Sequence, residues 1–146
     1  SRYAGQIQLD IHRTLPHHIY YKESGGFGQT RLFNVLKAYS NYDKHVGYCQ
    51  GMGFITAFLL LYVPEEDAFY LLVKLLRDYE LVGLFEPGFH ELYKAFFIHE
   101  QLFDLFLPRL SSHFKTQGIA ASMYCTKWYM EIFISSLPFP FVIRVW

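Results

Sequence analysis

Apolar residues recur at helical spacing along most of this chain, and this periodicity limits the fold more than any other feature. Near the N-terminus, Tyr3, Ile7 and Ile11 are spaced four residues apart, which places them on one face of a helix. No stretch shows the sustained alternation of apolar and polar residues that a half-buried strand requires. The sequence therefore predicts an all-α fold, a single irregular domain built from several helices.

Turn-forming residues divide this pattern into segments. Pro16 disfavours helix at the residue before it, so the first helix should end near Arg13. Residues 14–26 are then expected to form a loop, and a second helix should start near Phe27 with one buried face. The residues predicted on that face are Leu32, Val35, Leu36, Tyr39 and Tyr42.

A third helix is expected to begin at or just before Gln50 and to continue to Leu61. It is apolar on nearly all sides, which is typical of a helix at the centre of a domain. Pro64 should then open a fourth helix, whose acidic first turn faces the positive end of the helix dipole. The residues predicted on its buried face are Ala68, Leu72, Leu75, Leu76 and Tyr79.

The remaining sequence predicts further helices. A Phe-rich stripe from Phe89 to Phe106 is expected to be core, and Pro108 should start a short helix that ends near Gly118. Residues 119–135 should form another helix, and residues 140–146 have the pattern of the opening of one more. The residues predicted to point inward from 119–135 are Met123, Tyr124, Trp128 and Ile132.

Composition excludes several classes of protein and site. The formal net charge is zero, whereas a nucleic-acid-binding domain normally carries a basic excess, so no nucleic-acid partner is predicted. The longest apolar run, Phe54–Val63, is too short to cross a bilayer, so no transmembrane segment is predicted. Neither Cys49 nor Cys125 lies in a C-x-x-C pair, and the histidines lack zinc-binding spacing. We therefore expect no metal site, no other cofactor, and reduced thiols in a cytoplasmic protein.

One segment near the N-terminus carries candidate chemistry. Residues 7–13 follow the pattern I-x-x-D-x-x-R, in which Asp10 and Arg13 are neighbours on the helix surface. Asp10 can therefore orient the guanidinium of Arg13. An arginine at a helix end, just before a loop, is well suited to bind phosphate because it is always charged, planar and bidentate.

A second segment, Tyr48-Cys49-Gln50, complements the first. Glycines flank it, and glycine lets the backbone bend or approach other groups closely. The side-chain amide of Gln50 can accept and donate hydrogen bonds, so it can hold a water molecule near a phosphate. Tyr48 is expected to support Gln50 by packing and through its hydroxyl.

Each segment also has an ordinary structural interpretation. Asp10 and Arg13 could form a surface ion pair that contributes at most about 1 kcal/mol. Gln50 could be a helix cap or a core amide whose hydrogen bonds are satisfied. Short motifs match by chance, so the functional interpretation depends on both segments occurring together and in this order.

The two segments together resemble a known family. I-x-x-D-x-x-R followed by Y-x-Q, with the stretches GYCQGM at 47–52 and PEEDAF at 64–69, is similar to the TBC domain of Rab GTPase-activating proteins. The stretch RTLP at 13–16 and the pairs MY at 123–124 and KW at 127–128 match as well. The resemblance covers nearly all of residues 1–146, which correspond by it to the central part of the domain, truncated at both ends.

The resemblance implies a function and a partner. Arg13 would be an arginine finger and Gln50 a glutamine finger, with Asp10 and Tyr48 as supporting residues. The partner would be a Rab-family small GTPase in its GTP form, which carries GTP and Mg²⁺ itself. The chain would then activate another enzyme in vesicle trafficking, and partners would recruit it from the cytoplasm to membranes. The alternative is a catalytically silent TBC-like module that only binds a Rab or serves as a scaffold.

Overall fold

All regular secondary structure is helical in the computed structural model, which describes residues 2–146. The prediction of an all-α fold is therefore confirmed. A 3₁₀ helix at Leu81–Leu84, which the sequence pattern did not indicate, separates the fourth and fifth α-helices. The α-helices are α1 (Ala4–Ile11), α2 (Phe27–Tyr42), α3 (Met52–Leu59), α4 (Glu65–Asp78), α5 (His90–Phe106), α6 (Pro108–Thr116), α7 (Ser122–Met130) and α8 (Phe139–Val145).

The first four helices form one packed group. α2 contacts α1, α3 and α4, and α3 also contacts α1 and α4. α3 is buried on most sides, as its apolar sequence predicts, and Met52, Ile55 and Ala57 are fully buried. Burying Met52 and Ile55 contributes about 1.5–3 kcal/mol each, so α3 supplies a large part of the core on which the other helices of this group pack.

The later helices form a second group joined to the first. α5 contacts α6, α7 and the 3₁₀ helix, and the 3₁₀ helix also contacts α4. α8 returns to the first group, where Val142 is fully buried and the ring of Phe139 packs against Phe58 of α3. This arrangement brings α7, from the last third of the chain, beside the segment that precedes α3.

The predicted loop over residues 14–26 contains turns and no helix, as expected. Its conformation is fixed by side chains rather than by regular backbone pairing. The Tyr21 hydroxyl donates to the carbonyl of Ala57 at 2.6 Å, and the Gln29 amide donates to the carbonyl of Tyr21 at 2.8 Å. These bonds tie the loop to α2 and α3, so the chain that follows Arg13 has a defined path.

Several residues predicted to be buried are exposed. Tyr42, the last residue of α2, is 51% exposed, and Tyr79, directly after α4, is 72% exposed. Phe106 is 72% exposed and Phe103 is half-buried, so the Phe-rich stripe is core only over the first part of α5. Met123, predicted to point inward, is 70% exposed.

The prediction of one helix across residues 119–135 is wrong. α7 covers only Ser122–Met130, and the backbone then leaves the helical region. Ile132 and Phe133 both have positive φ angles, 45° and 64°, which no continuous right-handed helix can contain. The apolar periodicity of the sequence continues past Met130, but the helical backbone conformation does not.

Gly28 is required by a close approach between α2 and the preceding loop. A Cβ at Gly28 would overlap the carbonyl oxygen of Tyr20, which is backbone and cannot move aside alone. We expect Gly28→Ala to lower the free energy of unfolding by about 2 kcal/mol or more, because overpacking at this contact must displace the loop. Chemical denaturation monitored by circular dichroism measures the change.

Gly5→Ala is the matched control for this substitution. A Cβ at Gly5, in α1, meets nothing within 4 Å. The free energy of unfolding should stay the same or rise by up to about 1 kcal/mol, because alanine favours helix over glycine. A Gly28→Ala variant as stable as the unsubstituted chain would contradict the expected overlap of its Cβ with the carbonyl oxygen of Tyr20.

Candidate functional site

The first predicted segment lies at the C-terminal end of α1. Asp10 is in the last turn of the helix and is 6% exposed, whereas the Arg13 side chain beyond the helix is 57% exposed. Nη2 of Arg13 donates to Oδ1 of Asp10, as their spacing predicts. The guanidinium therefore has one fixed anchor while most of its surface faces solvent.

The second segment, Tyr48-Cys49-Gln50, is an irregular connection that ends in a turn at Gln50 and leads into α3. The prediction that Gln50 lies in the first turn of the central helix is wrong, because α3 begins only at Met52. Gly51 intervenes with a φ of 106°, a conformation that turns the chain and that residues with a side chain rarely adopt. Gln50 is exposed, and within residues 2–146 its amide has no hydrogen-bond partner.

A single carboxylate joins the two segments. The Tyr48 hydroxyl donates to Oδ2 of Asp10 at 2.7 Å, while Oδ1 of the same carboxylate accepts from Arg13. The Tyr48 hydroxyl thus supports the residue that anchors Arg13, rather than contacting Gln50 as the sequence interpretation supposed. Tyr48 is 4% exposed, so this bond is sheltered from water.

The protonation state of Tyr48 suits this role. Burial raises the pKa of the phenol well above its ordinary value, and the hydrogen bond to Asp10 raises it further. Losing the proton would leave two negatively charged oxygens facing each other in a buried place. Tyr48 is therefore a hydrogen-bond donor to Asp10 throughout the physiological pH range.

Thr14 is a supporting residue that the motif did not indicate. Its hydroxyl donates to the backbone carbonyl of Asp10 at 2.8 Å, and Thr14 is 2% exposed. A Cβ on Gly53 would lie 3.1 Å from the Thr14 hydroxyl oxygen and 3.7 Å from the Tyr48 hydroxyl oxygen. The absence of a side chain at Gly53 thus lets the end of α1 pack closely on the start of α3.

A pocket of about 390 Å³ opens beside Gln50. Residues of α7 form much of its wall, and Glu131, directly after α7, also lines it. Glu131 is 5% exposed, and burial raises the pKa of its carboxyl group. Gln50 and Glu131 thus line one pocket, and the sequence interpretation missed Glu131 because nothing in its local sequence marks it.

Cys49 lies between Tyr48 and Gln50 but has little reactivity at neutral pH. Burial and, to a smaller extent, the negative charge of Asp10 raise the pKa of its thiol to about 11. The thiol is therefore protonated and is a poor nucleophile or metal ligand. Across residues 2–146, no three His, Cys, Asp or Glu side chains come together in a way that could hold a metal ion.

Comparison with known proteins identifies the family of this arrangement. The family model of the Rab-GTPase-TBC domain matches residues 1–146. The human Ecotropic viral integration site 5 protein homolog is 45% identical over 139 residues, which are 95% of this chain and 17% of that protein. Rab GTPase-activating protein tbc-11 of Caenorhabditis elegans is 45% identical over 136 residues, 93% of this chain and 15% of that protein.

A solved structure agrees with this assignment. The crystal structure of the Chlamydomonas flagellar RabGAP TBC domain superposes with a TM-score of 0.80 at 34% identity, covering 99% of this chain and 47% of that one. The chain thus spans about half of this solved domain and less than a fifth of the two curated relatives. Because the family model matches the whole chain, the chain belongs to the Rab-GTPase-TBC domain family.

Proposed function

We propose that this chain accelerates GTP hydrolysis by a Rab-family small GTPase in its GTP form. Arg13 acts as an arginine finger and Gln50 as a glutamine finger, while GTP and Mg²⁺ belong to the partner. The observation that carries this proposal is the Asp10 carboxylate, which binds both Arg13 and Tyr48. A relative that is 45% identical bears the name Rab GTPase-activating protein, which supports the same assignment.

The chemistry follows from the nature of the two side chains. During phosphoryl transfer, negative charge spreads over the oxygens of the transferred group, and a guanidinium placed there stabilises the transition state. The carboxamide of Gln50 orients the attacking water, and it has no hydrogen bond within residues 2–146 to lose when it does so. Arg13 combines a fixed anchor with 57% exposure, so it is positioned and still reachable by a partner.

Asp10 and Tyr48 are positioning residues in this proposal. Neither touches the partner, because they are only 6% and 4% exposed. Asp10 directs the guanidinium, and Tyr48 holds the second oxygen of Asp10 so that the carboxylate cannot rotate. Placement of reacting groups to within about 1 Å can change a rate by about a hundredfold, which is why such support matters.

The proposed activity implies a place of action. Rab proteins work in vesicle trafficking, so we propose a cytoplasmic protein that its partners recruit to membrane surfaces. In the part of the chain that the structure describes, no helix combines the length and the apolar character needed to cross a bilayer.

Substitution of the two fingers tests the function directly. An arginine finger is worth about 10³–10⁵ in rate, or roughly 4–7 kcal/mol of transition-state stabilisation, so Arg13→Ala should lose most of the stimulation. Arg13→Lys should fail nearly as badly, because the planar fork is lost. Gln50→Ala should lose less than Arg13→Ala, because a neutral amide only positions water. Single-turnover GTP hydrolysis on a panel of Rab proteins measures these rates.

Matched controls are available on α5 and α6. Arg109→Ala and Gln101→Ala remove the same side-chain types from exposed positions on helices that do not form the site, and both should leave the rate unchanged. Stimulation at the unsubstituted rate by Arg13→Lys would contradict the assignment of Arg13. Rab binding without any stimulation would favour the silent binding module.

Tyr48→Phe tests the support given to Asp10. The substitution removes one buried hydrogen bond and leaves Oδ2 of Asp10 unsatisfied, which should lower the free energy of unfolding by about 1–3 kcal/mol. It should also lower the rate of stimulated GTP hydrolysis, because the anchor of Arg13 becomes free to rotate. Thermal unfolding and single-turnover kinetics on the same sample measure the two effects.

Tyr21→Phe is the control with a comparable loss of stability. Its hydroxyl makes a buried bond to the carbonyl of Ala57, outside the site, so it should destabilise the fold with little effect on the rate. If both Tyr→Phe variants lowered the rate in proportion to their loss of stability, Tyr48 would have no specific role in positioning.

A further inference from the structure

A pocket of about 310 Å³, which we call the α1–α2 pocket, lies between the start of α1 and the end of α2. The described residues that line it are Arg2, Tyr3, Ser40, Asn41 and Lys44. Two of these side chains are cationic and none is acidic, whereas the formal net charge of the whole chain is zero. A pocket lined by one sign of charge attracts ions of the opposite sign, so the α1–α2 pocket is suited to an anion.

Other pockets of this protein hold their cations beside acidic residues. The pocket beside Gln50 is lined by both Lys127 and Glu131. In the pocket at the end of α4, Lys74 forms an ion pair with Asp78 at 3.1 Å. The formal charges that line each of these two pockets sum to zero, so the positive lining of the α1–α2 pocket is not a general property of the surface.

The acidic residue next to Lys44 in the sequence is already engaged elsewhere. Oδ1 of Asp43 accepts from two backbone N–H groups just beyond the end of α2, at 3.1 and 3.2 Å. Oδ2 of Asp43 lies 3.6 Å from Nη2 of Arg77. Within residues 2–146, neither Arg2 nor Lys44 forms an ion pair, so both positive charges remain available to a ligand.

The wall that carries Arg2 is held in place by packing. Cζ of Arg2 lies 4.8 Å from the centre of the Tyr3 ring, and Nη2 donates to the Tyr3 hydroxyl oxygen at 2.5 Å. The Tyr3 ring in turn packs on Gly47, where a Cβ would lie 2.2 Å from Cε2 and Cζ of the ring. A guanidinium has five N–H donors, so Arg2 keeps donors for a ligand while Tyr3 orients it.

The end of α2 favours one kind of anion over others. Asn41 is in the last turn of α2 and Lys44 lies just beyond it, where the negative end of the helix dipole opposes an anion. A carboxylate has a single charge to set against this dipole. A phosphate monoester carries about 1.5–2 negative charges at pH 7 and has three strong acceptor oxygens. Arg2, Lys44 and the exposed amide of Asn41 supply N–H donors for these oxygens.

We propose that the α1–α2 pocket binds a phosphate group, with Arg2 and Lys44 as its charged contacts and Asn41 as a neutral donor. The phosphorylated headgroup of a membrane lipid and a free phosphate compound share this chemistry. The site is separate from the candidate fingers, because Arg13 lies beyond the far end of α1, whose eight residues span about 12 Å. The proposal therefore does not rest on the proposed activation of a GTPase.

Thermal unfolding of the full chain in phosphate, compared with sodium chloride at equal ionic strength, tests the site. A ligand that binds only the folded state raises the melting temperature. Phosphate also stabilises proteins by being excluded from their surface, so the difference between variants is the measurement. The rise should be smaller for Arg2→Gln and Lys44→Gln than for the unsubstituted chain.

The matched control for these variants is Lys22→Gln, which removes an exposed lysine from the loop before α2. It should keep the full rise in melting temperature. Equal rises in the unsubstituted chain and in all three variants would mean that phosphate acts by exclusion alone, and would overturn the proposal.

NMR titration with inorganic phosphate locates the site and measures its affinity. The amide signals of Asn41 and Lys44 should shift and reach saturation, and Lys44→Gln should weaken the affinity about fivefold, as expected for the loss of one exposed ion pair. Arg13→Ala should bind phosphate at this pocket with unchanged affinity. Saturable shifts confined to the surroundings of Arg13, or no saturable shift at all, would overturn the proposal.

Vesicle flotation separates the two sources of the phosphate group. Vesicles that contain phosphatidylinositol phosphate present a phosphate monoester, whereas phosphatidylserine vesicles of equal total charge do not. Binding only to the first kind, lost in Lys44→Gln, would support a lipid headgroup as the ligand. Saturable binding of inorganic phosphate without binding to vesicles would support a free phosphate compound. Equal binding to both kinds of vesicle by the unsubstituted chain and by Lys44→Gln would overturn a site specific for phosphate.

Discussion

The buried carboxylate of Asp10 is the interaction on which the rest of the site depends. A charge that is only 6% exposed is tolerated because both of its oxygens have partners, Arg13 on one side and the Tyr48 hydroxyl on the other. These partners come from different parts of the chain. The ion pair is therefore more than a local surface contact, since one carboxylate sets the position of α1 relative to the segment that leads into α3.

Two glycines make this arrangement sterically possible. Gly53 leaves room for Thr14 and Tyr48 at the junction of α1 and α3, and Gly51 provides the positive φ angle that turns the chain after Gln50. The same turn receives the end of α7, which brings Glu131 into the pocket that Gln50 lines. The site is thus assembled from the end of α1, the connection before α3 and the end of α7. The end of α1 packs on α3, and the end of α7 packs against Gly51, directly before α3.

Sequence reasoning predicted the helices correctly where turn-forming residues and apolar spacing indicate the same structure. α1 ends near Arg13 because Pro16 follows, and α3 is apolar on all sides because it is central. The errors occur where a backbone angle or a neighbouring helix decides. Gln50 precedes the central helix because Gly51 is not helical, and α7 ends at Met130 because Ile132 and Phe133 are left-handed. Phe106 is exposed although α6 packs back on the same end of α5 through Phe114 and Lys115.

The sequence by itself determined that the chain is all-α, that Asp10 and Arg13 are neighbours at the end of the first helix, and that a second motif carries a glutamine. These properties depend on residues close together in the chain, so spacing and residue type are sufficient to infer them. Only the tertiary structure decided that the Tyr48 hydroxyl binds Asp10 and that Glu131 lines the same pocket as Gln50. Those contacts join distant segments and depend on how closely helices pack, which no local pattern of residues specifies.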